Sequence, residues 1–327
     1  MDLPAGALDE FSGVVSVRQG DRVLGEWAVG LAERVHSVPN VPATRFAIAS
    51  GSKTFTAAAV LSLVADGSLA LDTKARDILG GDLPLIADDV TIDHLLTHRS
   101  GIGDYLDEDE DAYAPMSVPV QALDSTPAFL AVLDGYPTKF RAGERFSYCN
   151  GGFVVLALLA ERASGLPFAE LVRQRVFDPA GMGDSGFPRS DELPPHTATG
   201  YKDDGRTNVF DLPVVPSGDG GAYTTAADVH RLWRALTSGE VLSPALWDAM
   251  REPVTPDADD GRGYGRGLWL DGPFVSLAGM DYGASALSLH DPGTGITATS
   301  LANAEVPILR RTRSVMAAAL EAVGGPA

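Results

Sequence analysis

The sequence predicts an α+β fold: one antiparallel sheet built from both termini and flanked by helices, with a mainly helical lobe inserted between. Three observations carry this. Apolar and polar residues alternate with period two near the N-terminus and again after residue 270. Long apolar stretches of helical period lie between, at 54–66 and 153–163. Strands thus gather at both ends and helices in the middle, which an antiparallel sheet accommodates most economically.

Residues 13–18 alternate, with Val15 and Val17 facing one way; Gly20-Asp21 supplies a turn and 23–29 returns. The stretch 54–66 is apolar on most sides (Phe55, Ala58, Val60, Leu61, Leu63, Val64) and ends at Gly67, as a buried central helix does. Residues 72–134 are polar with short helices, the clearest at 91–96 behind the cap candidate Thr91. A second apolar helix at 153–163 ends at Ser164-Gly165, and 168–177 continues helical until Pro179. Residues 226–237 are amphipathic through Val229, Leu232, Trp233 and Leu236. Strands are predicted at 274–279, 286–290 and 296–301, and a last helix at 307–323. With no internal repeat or low-complexity linker, 1–327 reads as a single domain: a sheet-bearing lobe over about 1–65 and 215–327, and a helical lobe over about 66–214.

Composition narrows the function. A hydrophobic share of 45% against 21% charged supplies a real core and excludes a disordered chain. Lys and Arg number 25 against 44 Asp and Glu, a net charge of −19 that repels phosphate backbones and anionic lipid. No nucleic-acid or membrane partner is expected. One cysteine, Cys149, excludes an internal disulfide and a cysteine-built zinc site. The first residues lack a basic and an apolar leader segment, and no apolar run reaches the length of a membrane span. The expectation is a cytoplasmic protein without metal or cofactor, or a secreted one if a leader has been removed.

The chemistry centres on Ser50-Gly51-Ser52-Lys53, where the chain enters the buried helix. Residues three apart on a helix share a face, so Ser50 Oγ and Lys53 Nζ can meet, with Ser50 at a helix N-terminus that favours a developing oxyanion. A lysine serves as base only if its pKa falls from about 10.4 to near 7, roughly 4–5 kcal/mol of differential destabilisation that burial can supply. On spacing alone, a lysine snorkelling from a core helix fits equally well. Composition sharpens the functional reading. Only Lys53, Lys74, Lys139 and Lys202 are lysine among the 25 basic residues, and arginine cannot act as a base. Tyr148 and Asn150 form a second constellation. In extended backbone they point the same way, so phenol and amide can face one cavity, the phenol relaying a proton and the amide holding a substrate carbonyl. Asn150 is equally a candidate N-cap for the second apolar helix.

Ser50-x-x-Lys53 followed by Tyr148-x-Asn150 resembles the serine β-lactamase and penicillin-binding-protein superfamily, in the class C-like branch that also holds esterases and D-amino-acid peptidases. Leu95-Leu96-Thr97-His98-Arg99-Ser100-Gly101 resembles a signature of that branch. So do the blocks beginning at Phe140, Phe177 and Gly220, in the right order from about Arg45 to Asp291. The resemblance implies a β-lactamase/transpeptidase-like fold. It also implies an acyl-enzyme mechanism in which Ser50 is nucleophile, Lys53 with Tyr148 handles the proton, Asn150 orients substrate, and the Ser50 and Met280 N–H groups hold the oxyanion. Which of Lys53 and Tyr148 is the base stays open at this point. The third family motif falls on Leu277-Ala278-Gly279: the glycine is kept, but the cation or imidazole is replaced by Leu277. A leucine facing the pocket cannot pair with a carboxylate. The expected substrate is therefore a small neutral ester, the activity carboxylesterase-like. The alternatives are β-lactamase, D-amino-acid peptidase or DD-carboxypeptidase activity, or a penicillin-recognising binding module with little turnover.

Other signals are set aside. Gly183-Asp184-Ser185-Gly186 imitates a chymotrypsin-like nucleophile segment without its context, and no serine has the Gly-x-Ser-x-Gly frame. His36, His94, His98, His196, His230 and His290 show no zinc spacing and read as structural. Cys149 reads as a packed thiol. The acidic run 107–111 reads as a solvated loop, with attraction of a cationic substrate as its alternative role.

Overall fold

A computed structural model describes residues 1, 3–4, 6–108, 116–255 and 261–324. The predicted terminal strands form one antiparallel sheet. Strands β1 (Gly13–Gln19) and β2 (Arg22–Val29) come from the N-terminal end. Two short strands, β3 (Gly263–Tyr264) and β4 (Trp269–Asp271), precede β5 (Phe274–Asp281), β6 (Ala284–Asp291) and β7 (Ile296–Ala302). The order is β2-β1-β7-β6-β5-β4-β3, so the first and last strands of the sheet pair with each other one strand in from the β2 edge, with Gly13 opposite Ala302 and Val15 opposite Ser300.

Pleat alternation sorts the side chains onto two buried faces. Val15 and Val17 lie with Leu287, Leu289 and Ala298 under the C-terminal helix, against Val315, Met316 and Ala319. Val14, Leu277, Ala286 and Leu301 face the other way, into the larger core shared with the middle helices. That core holds α1 (Lys53–Ala65), whose residues 53–63 are all buried. It also holds α2 (Ile92–Leu96), α3 (Asn150–Ser164) and α4 (Ala226–Ser238); α5 (Ile308–Ala322) covers the opposite face.

Several element ends differ from expectation, each for a local reason. Helix α3 begins at Asn150 because Cys149 takes the N-cap, its Sγ accepting from Gly152 N at 3.3 Å. Asn150 is thus the first helical residue and not the cap, which frees its amide for the interior. The helix at Phe168–Val172 widens into a π turn over Arg173–Phe177 before Asp178–Ala180 closes on the left-handed Gly181. Strand β5 runs on through Met280 and Asp281 to a turn at the left-handed Gly283. A two-residue ladder, Phe46–Ala47 against Tyr223–Thr224, fixes the approach to α1 beside the segment that follows Ser217.

Candidate active site

The chain enters α1 through a 3₁₀ turn, Ala49–Ser52. Ala49 is held at φ 46°, an uncommon conformation for a residue with a side chain, and it immediately precedes Ser50. Ser52 is consumed by structure: its Oγ donates to Ala49 O at 2.7 Å and accepts from Ala222 N at 2.9 Å. Strand β5 passes directly over the turn. A Cβ at Gly279 would lie 2.1 Å from Ile48 O and 2.7 Å from Ser50 N, so glycine is what allows this approach. The next residue, Met280, is opposite Ser285 in the register, with its side chain 67% exposed.

Lys53 is buried, and its Nζ donates to Ser50 Oγ at 2.9 Å, Asn150 Oδ1 at 2.8 Å and the carbonyl of Asp219 at 2.6 Å. Three acceptors match the three donors of an ammonium group. Burial pulls the Lys53 pKa below its ordinary value, opposed by the charges of Asp219, Glu108 and Asp104. Tyr148 completes the cluster, its ring centroid 4.9 Å from Nζ. Burial and the neighbouring Glu108 push its pKa well above that of a free phenol, with Ser50 as the neighbour that favours the phenolate. Burial thus favours the neutral amine at Lys53 and the protonated phenol at Tyr148.

The ring of Tyr148 is gripped by aromatics. His98 lies 4.3 Å away and Trp269 stacks at 6.1 Å. His98 is structural, as expected, but it shapes the site: its Nδ1 accepts from Cys149 N at 3.0 Å and its Nε2 meets Tyr264 OH at 3.1 Å. Burial keeps it neutral. His94 completes a capping box with Thr91.

Asn150 differs from expectation. Its Nδ2 donates to Leu106 O at 3.0 Å and Glu108 Oε1 at 3.1 Å, so both N–H groups are taken while Oδ1 faces Lys53. The amide positions the lysine, and no donor is left for a substrate carbonyl. Leu277 differs as well. It is 1% exposed and packs in the main core, its Cδ1 3.1 Å from where a Cβ on Gly51 would stand. It supports the turn from beneath and forms no pocket wall, because the pleat that aims Gly279 at Ser50 aims Leu277 at the same buried layer. The acidic run is solvated in part where it is described: Glu108 is exposed and Asp107 is half-buried. Asp107 pairs with Lys139 at 2.7 Å and Glu108 bonds Asn150; residues 109–111 lie outside the described residues.

Three residues at the site escaped sequence reasoning: Asp104, Tyr105 and Asp219. Asp104 Oδ2 and Oδ1 accept from Asn150 N at 2.6 Å and Gly151 N at 2.8 Å, a charged cap on α3, and burial raises its pKa to about 6. Tyr105 OH donates to Asp219 Oδ2 at 2.5 Å. The signal was the text itself: Asp104-Tyr105 follows the 95–101 block within three residues, and Asp219 interrupts a glycine run.

Comparison with known proteins shows the family. The chain is 32% identical over 289 residues to Esterase EstB of Burkholderia gladioli, covering 78% of this chain and 73% of that one. It is 27% identical over 271 residues to PbpX, a putative penicillin-binding protein of Bacillus subtilis (strain 168), covering 80% of this chain and 62% of its relative. It thus spans less than two thirds of that relative's length. A crystal structure of a penicillin binding protein from Bacillus halodurans superimposes with a TM-score of 0.87 at 36% identity, covering 97% of this chain and 98% of that one. The family model described as Beta-lactamase matches residues 5–322, and the chain belongs to that family.

Proposed function

We propose that the chain is a serine hydrolase that works through an acyl-enzyme on a small, neutral carboxylic ester. The observation that carries this is the 2.9 Å contact between Ser50 Oγ and a buried Lys53 Nζ whose pKa is lowered. Neutral Lys53 takes the Ser50 proton as Oγ bonds the substrate carbonyl carbon. The oxyanion collects at the N–H groups of Ser50 and Met280, where β5 lies against the turn. The resulting Lys53 ammonium returns its proton, through the Tyr148 phenol, to the leaving alkoxide. Water then repeats the sequence in reverse and releases the acid. Asn150 keeps Lys53 aimed at Ser50 throughout.

The charge of the site supports a substrate without a carboxylate. The groups acting on Lys53 are Asp219, Glu108 and Asp104, and Asp281 on β5 interacts with the same centre. A substrate carboxylate would meet these negative groups, so β-lactams are expected to react poorly. EstB, an esterase by name, supports the same choice. A second reading has one specific observation behind it. Glu108 is exposed at the rim and would favour a substrate with a free ammonium group, such as a D-amino-acid amide.

The test is p-nitrophenyl acetate and butyrate hydrolysis beside nitrocefin and D-alanine p-nitroanilide, with a serine-reactive phosphonate and intact-mass detection. Ester turnover with a single adduct supports the proposal. Preference for the amide selects the second reading, and a stable adduct without turnover selects a penicillin-recognising binding module.

A further inference from the structure

Besides Ser50, Lys53 Nζ has two acceptors among the described residues, and neither lies on α1. Both are held by successive residues of one segment. Asp104 grips the backbone of Asn150, whose side chain receives one Nζ proton. Tyr105 grips the carboxylate of Asp219, whose carbonyl receives another. Asp219 sits in a stretch without regular structure, so its carbonyl must be aimed by tertiary contacts. On one side that stretch is sewn to α1 and its turn. Thr56 Oγ1 donates to Gly218 O at 2.6 Å, and Ala222 N donates to Ser52 Oγ. Gly218 is jammed against α3, where a Cβ would lie 2.2 Å from Phe153 O. On the other side the tie is the bond from Tyr105.

We propose that Asp219, clamped by Tyr105, is a positioning residue for the base: its carbonyl holds Lys53 Nζ against Ser50, and its carboxylate balances the ammonium that Lys53 becomes. This rests on the reading of Ser50 as nucleophile and Lys53 as base. When the Ser50 O–H bond breaks and the Nζ–H bond forms, a positive charge appears on a side chain that is only 2% exposed, so bulk solvent stabilises it weakly. Asp219 changes no covalent bond. Among the described residues, the other ionisable groups facing Lys53 are Asp104 and His98 from the 98–106 segment, Glu108 just beyond it, Tyr148 and Cys149 before α3, and Asp281 from β5. His98, Tyr148 and Cys149 stay neutral through burial. Among the described carboxylates, Asp219 acts on Lys53 most strongly and is itself partly buried, its pKa raised by desolvation and opposed by Lys53 and Tyr105.

The experiment measures kcat and KM for p-nitrophenyl acetate against pH, with thermal melting, for wild type, Asp219→Asn and Tyr105→Phe. Asp219→Asn is expected to move the acid limb of kcat/KM downward by about one pH unit, because the ammonium form loses its counter-charge. Tyr105→Phe keeps the carboxyl group but releases the carbonyl, so kcat should fall about tenfold or more at unchanged KM, with a smaller downward shift of the limb than Asp219→Asn gives. A limb that stays in place in an Asp219→Asn protein melting like wild type overturns the proposal. Should Asp219→Asn fail to fold, Tyr105→Phe decides: the expected loss of kcat supports the proposal, and a wild-type kcat overturns it. Failure of the underlying reading has a separate sign, turnover that survives Ser50→Ala.

Discussion

The two sides of Lys53 Nζ are built by different means. Toward α1, Ser50 lies three residues away on a buried 3₁₀-to-α junction, so one local turn sets nucleophile and base together. Away from α1, Asn150 and Asp219 lie 97 and 166 residues distant and arrive by way of loops pinned by Asp104 and Tyr105. The difference teaches where each property resides. Reactivity sits on a buried helix held mainly by core packing. The conditions under which the lysine is neutral sit in the loops, where a single side chain can change them.

Substitutions on the α1 side should be the most damaging. Ser50→Ala is expected to lower kcat by roughly 10⁴-fold or more and to abolish phosphonate labelling, read by esterase assay and intact mass. Lys53→Ala and Lys53→Arg should each lose about 10²–10⁴-fold, since guanidinium stays charged and cannot take the serine proton. An arginine variant clearly more active than the alanine one would break the comparison, because position and charge would then suffice without a base.

Supporting residues should cost stability more than chemistry. Leu277→Ala empties a buried site under the turn and is expected to lower stability by about 2–5 kcal/mol in denaturant titration, with the ratio of neutral to carboxylate-bearing substrate unchanged. A changed ratio would return Leu277 to the pocket wall. Ser52→Ala leaves Ala222 N without its acceptor, a loss of about 1–3 kcal/mol, and should keep turnover and labelling.

The smallest effect concerns pH and stability. Asp104 titrates near 6 in the folded protein against 3.8 as its ordinary value. Between these values the folded chain holds a proton that the unfolded chain has released. Stability should therefore fall as pH rises from about 4 to about 6 and level off above, and Asp104→Asn should flatten that slope. Melting temperatures across this window, wild type against variant, read it directly; a slope that Asp104→Asn leaves untouched would contradict the assignment.

Legibility follows the same division. The strand pairs and the two apolar helices were readable because each rests on short spacing, such as period two in Val15 and Val17, whereas the joining of Ser50 and Lys53 with Tyr148 and Asn150 was implied by the family resemblance and not by spacing. Placement of Leu277 was not. Its alignment with a motif says nothing about which buried layer the pleat turns it toward, and the contact with the Ser50 turn that decides this comes from a distant segment. Asp104, Tyr105 and Asp219 were missed for a related reason. Their partners lie 46 and 114 residues away, and a lone Asp or Tyr in a loop carries no periodic signal. The role of Asn150 shifted because Cys149, not Asn150, caps α3.

The central claim is that a neutral Lys53 activates Ser50, and the most direct measurement is the rate of phosphonate labelling against pH, with the adduct mapped by peptide mass. The rate should rise with pH through an apparent pKa below that of free lysine, with the label on Ser50 and no labelling in Lys53→Arg. A pH-independent rate, or a label on Ser52, would contradict it.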